Sequence, residues 1–89
     1  MRKTANAPRS DAAFRRAMIY DPEDDGGVFL FLFRTLADEP CKADYWYHDV
    51  AEAERHAADE LGISANDWRP VPDPEPGRPH DLLSPDITV

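Results

Sequence analysis

The sequence predicts an α+β fold: a three-stranded antiparallel sheet in β-β-β-α order, one helix on one face, and an extended proline-rich C-terminal segment. Three observations carry this. Val28-Phe29-Leu30-Phe31-Leu32-Phe33 is an unbroken apolar run with the length of a buried strand. Tyr45-Trp46-Tyr47 groups three residues that favour the pleated, half-buried surface of a strand. Asp49 to Gly62 holds the cap residues and periodicity of a helix.

The chain has 89 residues, enough for one domain with a small core. The first 13 residues are polar, small and basic, and read as a mobile N-terminal tail. Ser10 can cap only a short turn there, too short to hold alone. Residues 14–72 form the predicted α+β domain, and residues 73–89 the extended segment.

The first strand is predicted between Phe14 and Tyr20, with Ala17 to Tyr20 its firmest part. Asp21-Pro22-Glu23-Asp24-Asp25-Gly26-Gly27 then turns the chain, since Pro22 cannot donate to a ladder and Asp-Gly is a hairpin turn signal. The second strand runs from Val28 to Leu36. Alternation places Phe29, Phe31 and Phe33 on one face and Val28, Leu30 and Leu32 on the other. Both stripes are apolar, so both faces of the strand need a cover.

Ala37 to Pro40 turns the chain into the third strand, Cys41 to His48. Its Cys41, Ala43, Tyr45 and Tyr47 form the expected core side. Asp49 is the predicted N-cap, with Glu52 in capping-box spacing. Val50, Ala53, Ala57 and Leu61 share one helix face. That face is mostly alanine, and the three phenylalanines are its expected partners. Gly62 supplies the left-handed position after the helix, and Ile63 packs back. Ser64 to Asp67 is a second small turn before Trp68. From Pro70 on, six prolines fall within sixteen residues, which rules out a helix or a central strand. Val71 is still placed for a short fourth strand at the sheet edge.

The net charge is −8, divided into +4 over residues 1–16 and −12 over residues 17–89. An acidic body repels phosphate backbones, so no nucleic-acid partner is expected. The strand aromatics have only Arg34 and Lys42 near them, too few cations for RNA stacking. The longest apolar run is far below the roughly 20 residues of a membrane span, so no membrane partner is expected either. A single cysteine and the lack of an n-region and h-region fit a cytoplasmic protein.

No catalytic, cofactor or metal residues are assigned. Cys41 and His48 are seven apart on one strand and point to opposite faces, so they form no dyad. Glu52, His56 and Glu60 have metal-ligand spacing, but this is also the spacing of a solvated helix stripe, with only His80 as a distant addition. Asp21, Glu23 and Asp25 alternate like half a calcium loop, yet Leu32 stands where the bidentate glutamate belongs. With no nucleophile, base and oxyanion donor to group, the chain reads as no enzyme.

The second sheet face is the remaining candidate. Val28, Leu30, Leu32 and Trp46, joined by Trp68, make up the predicted partner-binding set. Three covers are open: the tail, through Trp68, Leu82, Leu83 or Ile87; a second copy, giving a homodimer; or a different protein. The expected function is a small acidic protein–protein interaction module, the alternatives being an antitoxin or immunity-type inhibitor of a basic toxin, and a small-ligand or metal-binding protein.

Gly26-Gly-Val-Phe-Leu-Phe-Leu-Phe33, Asp44-Tyr-Trp-Tyr47, the Ala-Glu helix, Asp67-Trp68 and Pro72 to Asp81 together resemble a group of small uncharacterised bacterial α+β proteins. The order of strands, the Asp-Gly turn and the Glu52-Ala53 to Ala57 helix are also similar to HicB-type antitoxins. That resemblance implies a non-catalytic module that neutralises a small basic toxin. The chain lacks that family's Pro-Gly-Cys and Gly-Asp-Thr segments and its DNA-binding extension.

Overall fold

The computed structural model describes residues 1–8, 13–24 and 26–83. Ser10, Asp25 and Ile87, singled out above, lie outside the described residues. The elements in chain order are β1 (Arg2–Asn6), β2 (Arg16–Tyr20), β3 (Val28–Phe33), β4 (Ala43–Tyr47), α1 (Val50–Leu61), a one-turn 3-10 helix (Ala65–Asp67) and β5 (Arg69–Val71). They form an α+β fold with one antiparallel sheet of five strands in the order β4-β3-β2-β1-β5, not the three expected.

The first extra strand corrects the reading of the N-terminus as a mobile tail. Residues 2–6 are β1, paired with β2 on one side and β5 on the other. Its missing signal is physical. Ala5 is its only buried apolar side chain, and on the opposite face the buried residue is Arg2. No period-2 apolar pattern can arise from such a strand. The second extra strand is β5, at the edge position foreseen for Val71. Pro70 sits within it opposite Lys3, tolerable because an edge strand has one unpaired side.

The hairpin between β2 and β3 forms as expected, with Ile19 opposite Leu30 and Met18 opposite Phe31. The helix also keeps its expected ends. Asp49 accepts a hydrogen bond from the Glu52 N–H at 2.9 Å, and Gly62, at φ 73°, donates to the Ala58 carbonyl at 3.0 Å. Ala53, Ala57 and Leu61 are buried, as their spacing requires. Ser64 and Asp67 close the following turn through the Ser64 N–H, which donates to Asp67 Oδ2 at 2.8 Å.

The two stripes of β3 are exchanged relative to expectation. The helix covers Val28, Leu30 and Leu32, together with Ala5, Ala17, Ile19 and Ile63. Phe31 and Phe33 pack with Met18 on the other face, with Phe29, Tyr20, Cys41 and Leu83 around them. The helix side of the contact is mostly alanine, Ala53 and Ala57 with Leu61, and the aliphatic Ile19, Val28, Leu30 and Leu32 of the sheet fill the space beneath it. Three rings there would hold it off. The rings instead serve the face that has only extended chain for cover, where wide side chains supply the buried area.

That cover is residues 72–83, which cross the phenylalanine face as a strap. Arg2, 2% exposed, holds it: Nε donates to the Pro72 carbonyl at 2.7 Å, and Nη1 to those of His80 and Leu82 at 3.0 and 2.7 Å. The Cys41 N–H donates to Asp81 Oδ2 at 2.8 Å, and the Leu83 N–H to Asp38 Oδ1 at 2.7 Å. The His80 ring lies 4.7 Å from that of Tyr20. Leu83 contributes the apolar contact foreseen for the tail, though over the opposite stripe.

Candidate functional site

The predicted partner-binding set does not stay together. Val28, Leu30 and Leu32 are at most 2% exposed beneath the helix and offer no surface. Trp68 is half-buried against the same helix-side core, with the Lys3 ammonium 5.4 Å from its ring. Lys3 in turn pairs with Glu54 of the helix. Trp46 alone remains on the surface, 49% exposed.

Trp46 is exposed yet held. Its Nε1–H donates to the Gly26 carbonyl at 2.7 Å, and its ring lies over Gly27. Gly27 has φ +92°, and a Cβ there would stand 2.4 Å from the indole. The glycine is therefore needed twice, for its left-handed backbone and for the space it leaves. The His48 ring meets the indole edge-on at 4.9 Å. Tyr45, 42% exposed, points to the helix side, where His56 lies 4.7 Å away and Tyr47 bonds to His56 Nδ1.

Both aromatics stand on β4, which is the sheet edge and pairs only with β3 among the described residues. An edge strand presents alternate unpaired N–H and C=O groups, a template for another strand. The opposite edge, β5, has three residues and a proline that lacks an N–H. β4 has five residues and no proline. The helix that leads away from it is acidic, and residues 42–61 carry net charge −4 with histidines neutral.

Beside β4 on the strap face, an open groove of about 280 Å³ is lined by Phe29, Phe31, Cys41, Asp44, His80 and Asp81. The Phe29 and Phe31 rings lie parallel with centroids 6.0 Å apart. Burial, reinforced by the Asp81 carboxylate, pushes the Cys41 thiol up to about 11, so it stays protonated at neutral pH. This is the reverse of an activated nucleophile.

The other chemistry-bearing groups are dispersed. His80 lies tilted against Tyr20, on the strap face, so it does not join Glu52, His56 and Glu60 of the helix. Among the described residues no group of three or more His, Cys, Asp or Glu is placed to hold a metal ion. A cleft of about 650 Å³ lies between the β2–β3 loop and the start of α1, with Asp21, Glu23, His48 and Asp49 on its walls. The loop carboxylates there are engaged locally: Asp21 Oδ1 accepts from the Glu23 N–H at 2.7 Å and Asp24 Oδ1 from that of Gly26 at 3.0 Å. No helix among the described residues is long and apolar enough to cross a membrane.

Arg16 is a feature sequence reasoning missed. It is 3% exposed, its guanidinium stands 3.7 Å from the Phe33 ring centroid, and Nη2 donates to the Ala37 carbonyl at 2.8 Å. Burial pulls its pKa below the usual arginine value, against the opposing pull of Asp38 and Glu39.

Comparison with protein-family models, with curated proteins and with solved structures found no match to this chain.

Proposed function

We propose that this chain is a small acidic, non-enzymatic protein-interaction module of the bacterial cytoplasm that binds through the β4 edge. One observation carries the reading. The open edge strand displays Tyr45 and a pinned Trp46, two of the three exposed large hydrophobic side chains among the described residues, the third being Leu36. Tryptophan and tyrosine dominate binding hot spots, and an anchor already fixed in place loses little freedom on binding. The free edge adds main-chain hydrogen bonding in the manner of β-strand addition. The net charge of −4 around the edge favours a basic partner. An antitoxin or immunity role is the special case in which that partner is a small basic toxin.

A photo-crosslinking residue tests this. Placed at Tyr45 in the expressing bacterium, it should give a discrete adduct of defined mass, with another protein or with a second copy. The same residue at Ala58, on the exposed helix face, should not. Equal, diffuse labelling from both positions would refute the edge as an interface.

A further inference from the structure

The strap face of β4 specifies the occupant further, on the reading that the edge is the interface. Asp44 and Trp46 are two apart on this strand and so point to the same face. Both are exposed, and their cross-strand partners on β3 are Phe31 and Phe29. Asp44 borders the groove floored by those two rings, and Trp46 stands next to it on the same face of the strand. Asp81, on the far side of the groove, already accepts the Cys41 N–H. The Asp44 side chain has no hydrogen bond or ion pair among the described residues, so its carboxylate is free to take a partner.

A strand added to β4 places its side chains about 4.5–5.5 Å from those directly opposite, and long side chains also reach the diagonal neighbour. A side chain on the strap face therefore meets a carboxylate, an indole face and an aromatic floor together. A cation with a long apolar stem satisfies all three. The head pairs with Asp44, the planar or ammonium group stacks on Trp46, and the methylenes lie toward Phe29 and Phe31. An acidic side chain there would face Asp44 and the surrounding negative charge.

We infer that the β4 edge accepts an extended basic segment of a partner protein, adding as a sixth strand with an arginine or lysine seated between Asp44 and Trp46. The match is of charge as well as shape. Lys42 is the one nearby cation of this stripe, outside the strand, while the segment from Lys42 to Leu61 is acidic overall. A second copy of the chain brings the same acidic helix alongside, so it lacks the complementarity that a basic segment has.

The test uses the full chain, labelled with nitrogen-15, and an eight-residue capped peptide alternating arginine and valine. Amide shifts are expected across Ala43–Tyr47 and at the Trp46 indole, with a Kd below about 1 mM. Asp44→Lys and Asp44→Asn should weaken binding, the former at least five-fold. Glu60→Lys makes the same charge change on the exposed last turn of α1 and should weaken it less than two-fold. Equal binding of a glutamate–valine peptide, or shifts spread along α1 with Glu60→Lys as harmful as Asp44→Lys, would overturn the inference. So would β4 shifts that follow protein concentration alone while the peptide does nothing. That last result identifies a homodimer edge, and the interaction-module reading would stand without the basic partner.

Discussion

Cys41 shows how the surroundings of a thiol set its reactivity. It stands at the mouth of a groove, with His80 and Asp81 also on the walls. Burial and the Asp81 carboxylate both disfavour its thiolate. The consequence is measurable. At pH 8 the folded protein should react with iodoacetamide about 10- to 100-fold more slowly than the urea-unfolded chain, because the reactive species is the thiolate. The sign of the linkage follows from the raised value. The group contributes stability fully below its unfolded pKa near 9, and this is lost as the pH rises through about 11. Mass spectrometry of timed alkylation measures the ratio, and equal rates would show that Asp81 does not sit against Cys41. Arg2 makes the complementary point. It reads as part of a basic tail, yet it spends its guanidinium on three backbone carbonyls of the strap.

Among the elements, β4 is tied to the β2–β3 hairpin by its ladder with β3 and, at the loop, by the Trp46 indole, which bonds to the Gly26 carbonyl and lies over Gly27. Gly27→Ala adds a methyl group where no room exists and strains a left-handed backbone, so it should cost about 1–3 kcal/mol in urea denaturation. The same substitution in a Trp46→Ala background should cost less, since only the backbone strain remains. A double-mutant cycle isolates the difference, and identical costs in both backgrounds would mean that the indole does not rest there. Helix α1 was legible in full because its determinants are local: a cap at Asp49, apolar spacing through Leu61, and a left-handed Gly62. β1 was not, because its partners lie on β2 and β5, one of them more than sixty residues away.

For the whole molecule, the sheet is a plate with two unequal covers. A helix covers Val28, Leu30 and Leu32, and a strap of extended chain covers Phe31, Phe33 and Met18. The strap is held by Arg2 at Pro72, His80 and Leu82, and by Cys41 and Asp38 at Asp81 and Leu83. A chain that stops at Pro72 should therefore expose the phenylalanine face. It should bind a hydrophobic dye or associate, as read by fluorescence and by solution mass. Arg2→Leu should produce part of the same effect and cost about 2–4 kcal/mol, as expected for loss of a buried guanidinium's hydrogen bonds to three backbone carbonyls. A truncated chain that stays monomeric, folded and dye-free would show that the strap is dispensable.

The sequence by itself determined the α+β class, the hairpin, the helix with both of its ends, the edge position of Val71 and the need for a cover on each side of Val28–Phe33. All of these follow from local backbone preferences and from the period of apolar residues. Only the tertiary structure decided which stripe of that run meets the helix, that residues 2–6 are a strand, and that Trp46 is exposed while Val28, Leu30 and Leu32 are buried. Alternation separates two faces but does not label them, because both stripes are apolar. The label comes from how closely an alanine-lined helix approaches and from where Arg2 can fasten the strap, and neither distance is written along the chain.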